Sequence, residues 1–175
     1  MDTAIIKVCQ DEADNTGTFA KMSDSYFDLI TIPTAWLLCD IIQQAQVLLQ
    51  LQNTAIHGFQ RTTLGPVKNC DSHCLCISSA GYLPGHVNLY DSLTVLNQKI
   101  EEQANDLLGG RKEVLSPMKV QQQRNTSDCG VFAIAFSNCL AFGEDPTFVN
   151  FDVLRMRSHL AECLRNGRIS LFSSF

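Results

Sequence analysis

The sequence predicts an α+β fold in which a buried central helix packs on a small, mainly antiparallel sheet, and three observations carry that prediction. Residues 131 to 142 are apolar at ten of twelve positions, on every side of a helical wheel, so a helix there must be covered on all sides. Residues 38 to 49 place Leu38, Ile41, Ile42, Ala45, Leu48 and Leu49 at helical spacing with glutamines opposite. Short apolar runs at 73–78 (HCLCIS) and 87–90 (VNLY) read as strands, and helices and strands do not alternate in a βαβ pattern.

Taken in order, residues 1–28 are mixed and polar and are expected to form a loosely structured lead-in with one strand around Ala4 to Val8; a single domain is expected over 29–175. Pro33 and Thr34 fit the stop and cap of an amphipathic helix of about four turns. The turn-rich SAGYLPGH joins the two strand candidates as an antiparallel pair. A short helix is expected within 93–107, ended by Gly109 and Gly110, and a strand around Met118 to Gln121. Gly143 and Pro146 end the apolar helix. A last amphipathic helix, Phe151 to Arg165, presents Leu154, Leu160, Cys163 and Leu164 and stops at Gly167.

Composition narrows the function. The chain has 175 residues, enough for one domain, with 45% hydrophobic and 18% charged residues. A net charge of −5 without a Lys/Arg stripe argues against nucleic acid as a partner. No apolar run approaches the ~20 residues of a membrane span, and the N-terminus carries Asp2 and Lys7 where a secretory signal would be apolar. A soluble, intracellular monomer with eight reduced cysteines is therefore expected.

One cysteine stands apart. In NTSDCGVFAIAF, Ser127 or Asp128 is positioned to cap the apolar helix, which puts Cys129 in its first turn. Unpaired backbone N–H groups and the positive end of the dipole stabilise a thiolate there, and the same N–H groups suit an oxyanion. Gly130 would let a substrate carbonyl approach the backbone. A nucleophilic thiol needs a base and a group to orient that base. If Ile77 pairs with Val87, the register sets His73 opposite Asp91 with Cβ atoms about 5 Å apart, which makes His73, Asp91 and Cys129 a candidate triad.

With Gln123 six residues before Cys129 in QRNTSDCG, and Asp91 in NLYDSL, the chain resembles the ubiquitin-like-protein proteases, the SUMO-deconjugating cysteine protease family. AWLLCDII resembles the family's Trp-Leu-x-x-x-x-Ile segment, and the likeness runs over roughly 34–172. It implies a papain-like fold, Cys129 as nucleophile, His73 as general base, Asp91 as the acid that orients it, and Gln123 as an oxyanion donor, with no cofactor and no metal. The implied activity is that of a cysteine-type peptidase or isopeptidase acting at the C-terminal glycines of a ubiquitin-like protein. The family carries His-Trp where this chain has His73-Cys74; that tryptophan and the one matching Trp36 are expected to clamp the Gly-Gly tail, so Trp36, Cys74 and Gly130 are the candidate substrate contacts. The alternative, motivated by Cys74, is a degenerate relative that binds a ubiquitin-like protein without turnover, of the kind carried by mobile elements.

Other features have plainer readings. His86 precedes Asp91 by only five residues along one strand, a poor geometry for a base, and His57, His86 and His159 read as satisfied surface or core residues. CDSHCLC at 70–76 lacks the second ligand pair a zinc site needs, and strand alternation sends Cys74 and Cys76 away from His73. DEAD at 11–14 has no phosphate loop, the glutamines of 43–52 suit a solvated helix face, and Trp36 by itself is ordinary core.

Overall fold

The computed structural model describes residues 3–8, 24–54, 73–79, 85–93, 98–107 and 114–175. Four strands, β1 (Thr3–Val8), β2 (His73–Ser78), β3 (His86–Tyr90) and β4 (Val114–Met118), form one sheet in that order. The first two pairings are antiparallel and β3–β4 is parallel, so the sheet is mainly antiparallel. Pro117, which has no N–H to donate, sits on the edge strand β4. The helices are α1 (Asp24–Thr31), α2 (Cys39–Gln52), α3 (Gln98–Leu107), α4 (Cys129–Ala141) and α5 (Val153–Arg165). DEAD, His57, Cys70, the Gly109–Gly110 stop and most of the SAGYLPGH turn lie outside the described residues.

Helix α4 is the centre. Every residue from Cys129 to Leu140 is buried, as an all-round apolar helix requires. Phe132 and Phe136 stack with Phe151, which in turn meets Phe172 edge-on, so α4 is locked to the C-terminal segment by aromatic contacts. Gly143, at φ +79°, supplies the left-handed residue that ends the helix.

The β2–β3 register differs from the expected one by two residues. Ile77 pairs with Leu89 and Cys76 with Tyr90. This alignment buries Leu89 and sets the Tyr90 ring 6.3 Å from that of Phe136. A slip of two keeps every side chain on its face, where a slip of one would have reversed them all. His73 and Asp91 are therefore diagonal neighbours rather than opposite, still within mutual reach.

Three further differences concern helix ends and faces. Helix α1 spans the expected 28/29 boundary, and Phe27 and Ile30 are buried in the core. Helix α2 starts at Cys39, not at Thr34, and Leu38 at its N-cap makes no side-chain cap. The carbonyls of Pro33 and Ala35 are instead taken by Ser127 Oγ and Arg157, which holds 33–38 outside the helix. On α5, Leu154 is exposed, and the buried positions are Met156, Arg157, Leu160, Ala161, Cys163 and Leu164.

Candidate functional site

The sheet and the central helix bring three chemistry-bearing residues to one place. His73 is the first residue of β2, Asp91 follows β3 directly, and Cys129 is the first residue of α4. His73 Nε2 and Asp91 Oδ1 are 2.8 Å apart, both largely buried. The backbone N–H of Leu93 donates to the same carboxylate oxygen at 2.8 Å, which fixes the acid that fixes the imidazole. With Nε2 occupied, Nδ1 is the nitrogen left for Cys129, and it has no close hydrogen-bond partner among the described residues. The His73–Cys129 interaction is thus a loose one, as catalytic contacts in unliganded sites often are.

The electrostatics separate the two groups. Burial alone would lower the His73 pKa, but the hydrogen bond to Asp91, the nearby Cys129 sulfur and the charges of both outweigh it and raise it to about 9. The Cys129 thiol is brought down to about 5, first by a hydrogen bond from the Cys74 side chain, then, against the cost of burial, by His73 and the Cys74 backbone. At neutral pH the pair is thiolate and imidazolium. Two other buried thiols show the opposite behaviour: desolvation pushes Cys76 and Cys139 up to about 12.

Cys74 was expected to point away from the histidine and toward a substrate channel. It is buried in the core, and it is the first of the influences that lower the Cys129 thiol. Trp36, in contrast, is 44% exposed and is no core residue. Gly130 is buried against Leu37: a Cβ there would meet Leu37 Cβ at 3.2 Å and Cδ1 at 3.3 Å. The missing side chain allows close packing of α4 on the 33–38 loop.

Neither Ser127 nor Asp128 caps α4. Asp128 occupies the N-cap position with helical backbone angles and no side-chain cap. Its carboxylate is turned aside by Arg157 Nε at 2.7 Å and Asn125 Nδ2 at 2.7 Å. The first N–H groups of the helix therefore keep no capping side chain in front of them, which suits an oxyanion site. Asn125 Oδ1 accepts from the N–H groups of Ser127 and Asp128, shaping the approach to Cys129.

Gln123 joins two loops of the site. Its Oε1 accepts from Ser92 Oγ and its Nε2 donates to the Asn125 carbonyl, both at 2.6 Å. Its backbone N–H also donates to the Ser92 carbonyl at 2.9 Å. It thereby ties the Asp91 loop to the Cys129 loop, and one amide hydrogen of Nε2 is left over. Gln122 reinforces this by donating to the Asp91 carbonyl at 3.0 Å.

Sequence reasoning missed Arg157. Its guanidinium is buried and donates to Asp128 Oδ1 and to the carbonyls of Ile30, Ala35 and Ser127, at 2.7 to 3.0 Å. One side chain on α5 thus joins the end of α1, the Trp36 loop and the residues just before Cys129. A charged residue on an otherwise apolar helix face was the available signal.

His159 lies 3.4 Å from Cys163 Sγ, but it also contacts the Ser170 carbonyl and packs on Phe172. Among the described residues no group of three His, Cys, Asp or Glu side chains could hold a metal, and no helix is long and apolar enough to cross a membrane.

A small antiparallel sheet packed on a buried helix, with a cysteine at that helix's N-terminus and a histidine and an acid on the strands, is the arrangement of a papain-like cysteine protease. The family model described as the Ulp1 protease family, C-terminal catalytic domain, matches residues 7–167, and the chain belongs to that family. Among solved structures it resembles the SUMO protease Ulp1 with its catalytic cysteine oxidized to a sulfenic acid (16% identity, 87% of each chain covered, TM-score 0.58). It also resembles the C-terminal Ulp1 protease domain in complex with SMT3, the yeast ortholog of SUMO (15%, 82% of each chain, TM-score 0.54). The Chaetomium thermophilum Ulp1-like SUMO protease catalytic domain is similar too (19%, 78% of this chain and 75% of that one, TM-score 0.54). No curated protein matches the sequence.

Proposed function

We propose that the chain is a cysteine peptidase that acts at the C-terminal glycines of a ubiquitin-like protein, releasing it from a precursor or from an isopeptide conjugate. The observation that carries this reading is the opposed displacement of the two site groups: Cys129 down to about 5 and His73 up to about 9, with Asp91 at 2.8 Å behind the imidazole. A pre-formed ion pair presents the thiolate at neutral pH without a cofactor.

In the proposed reaction Cys129 Sγ attacks the carbonyl carbon of the terminal glycine. The resulting oxyanion is held by the N–H of Cys129 and the remaining amide hydrogen of Gln123. His73 gives its proton to the leaving amine, then takes one from the water that hydrolyses the thioester, while Asp91 keeps the ring oriented. Exposed Trp36 supplies one wall for the glycine tail.

The test is labelling by a panel of ubiquitin-like proteins bearing a C-terminal electrophile. Wild type should form a covalent adduct with at least one, and Cys129→Ala with none. Stoichiometric binding of a ubiquitin-like protein without adduct or hydrolysis would favour the degenerate binder instead, a reading that the single exposed tryptophan motivates.

A further inference from the structure

We propose that Cys163 is a second reactive thiol, outside the site built around Cys129: a small oxidant of the peroxide class converts it to a sulfenic acid, with His159 and Ser170 holding its sulfur ready. Three contacts support this. His159 Nε2 lies 3.1 Å from the Ser170 carbonyl and 3.4 Å from Cys163 Sγ, and the Ser170 hydroxyl lies 3.7 Å from the same sulfur. A carbonyl oxygen can only accept, so Nε2 carries the hydrogen, and a protonated ring nitrogen cannot accept from the hydroxyl 3.5 Å away. The sulfur is left as the acceptor for both donors, an arrangement that favours a thiolate over a thiol.

The fold holds these groups together from two directions. His159 and Cys163 stand one turn apart on α5, at the i, i+4 spacing that makes side chains neighbours, and Ser170 comes from the segment after the helix. The imidazole is backed by the Phe172 ring at 4.9 Å, and Phe172 in turn meets Phe151 edge-on. Burial opposes ionisation of Cys163, but the contacts with His159 and Ser170 outweigh it and bring the thiol below its ordinary value. Cys76 and Cys139, by contrast, are pushed up to about 12 by their burial. Cys163 is 4% exposed, while His159 is half-buried and Ser170 exposed, so the sulfur lies just beneath the surface, within reach of an oxidant of two heavy atoms.

The chemistry balances with hydrogen peroxide. The Cys163 thiolate, its proton already given to solvent, attacks one peroxide oxygen. An S–O bond forms, the O–O bond breaks, and the departing hydroxide takes a proton from solvent and leaves as water; sulfur loses two electrons and peroxide gains them. A dithiol restores the thiol: its first sulfur displaces water from the sulfenic acid to give a mixed disulfide, and its second sulfur then displaces Cys163 and closes a disulfide of its own.

The experiment reads thiol chemistry at α5, so its outcome is separate from whether the chain is a peptidase. Reduced protein is treated briefly with hydrogen peroxide and then denatured in dimedone, which adds to sulfenic acids, with iodoacetamide to block the remaining thiols. Adducts are located by mass spectrometry. Cys163 should carry dimedone at least about tenfold more than Cys76 and Cys139, the buried thiols that stay protonated. His159→Phe keeps a ring against Phe172 but removes both nitrogens; labelling of Cys163 should then fall on the order of tenfold, with labelling of Cys129 unchanged as the control for an intact fold. Cys163 labelled no more than Cys76 and Cys139, or labelled equally in His159→Phe and wild type, would overturn the proposal. The comparison among cysteines of the wild-type protein decides the matter even if the variant folds poorly.

Discussion

Arg157 Nε and Asp128 Oδ1 form a buried ion pair 2.7 Å long, and three of the other four guanidinium N–H groups donate to the carbonyls of Ile30, Ala35 and Ser127. Removing one partner of such a pair leaves an uncompensated buried charge, which costs about 3–5 kcal/mol. Arg157→Met should lower the unfolding free energy by that amount in urea titrations. Arg157→Lys should recover little of it, because an ammonium cannot reproduce the planar fork. A loss below about 1 kcal/mol would refute the idea that this residue holds the site together.

Activity should follow a bell-shaped pH profile. The reaction needs Cys129 ionised and His73 protonated, so kcat/KM should rise as pH passes about 5 and fall as it passes about 9. Asp91→Asn removes the carboxylate that holds the imidazolium, so the basic limb should move down and the rate should drop by roughly 10²-fold or more. A basic limb left in place in that variant would mean that another group controls it.

Cys74→Ala tests the same profile from its other side. The Cys74 thiol is the largest influence holding Cys129 down, so its removal should move the acidic limb upward, toward the ordinary thiol range, and leave the basic limb nearly still. Measuring the rate of iodoacetamide alkylation against pH reads the shift directly. An unmoved midpoint would show that His73 and the helix terminus suffice.

Gly130→Ala should destabilise the protein despite alanine's better helix propensity, which favours the change by up to about 1 kcal/mol. The new methyl meets Leu37 Cβ, Cγ and Cδ1 at 3.2 to 3.4 Å, and overpacking of this kind costs about 1–3 kcal/mol. A lowered melting temperature is expected, together with a reduced alkylation rate at Cys129, since relief of the clash displaces the helix terminus. A melting temperature equal to or above that of wild type would mean that Leu37 gives way freely.

Much of this was legible in the sequence because it rests on short-range pattern. The apolar run of 131–142 forced a fully buried helix, Gly143 ended it, and the HCLCIS and VNLY runs became β2 and β3. His73, Asp91 and Cys129 could be grouped even though the assumed register was off by two, because an even slip preserves faces. What was not legible depends on contacts between residues far apart in the chain. Nothing local says that Asp128 will turn from the helix N-terminus to Arg157, 29 positions later, or that Arg157 will claim the Ala35 carbonyl and delay α2 to Cys39. Cys74 was misplaced for a similar reason: alternation assigns a face but does not say how near the end of a strand comes to the end of a helix.

Arg157 also imposes an order of assembly. A chain emerging from the ribosome presents Cys129 well before α5, and domains acquire structure as they are made, at about 5–20 residues per second. Until Arg157 has emerged, the Trp36 loop and the residues before Cys129 lack the guanidinium that bridges the Ala35 and Ser127 carbonyls. A nascent chain halted at Asp152 should therefore carry the thiol but fail to react with a ubiquitin-like electrophile, so that the reactive centre is completed only once α5 has been synthesised.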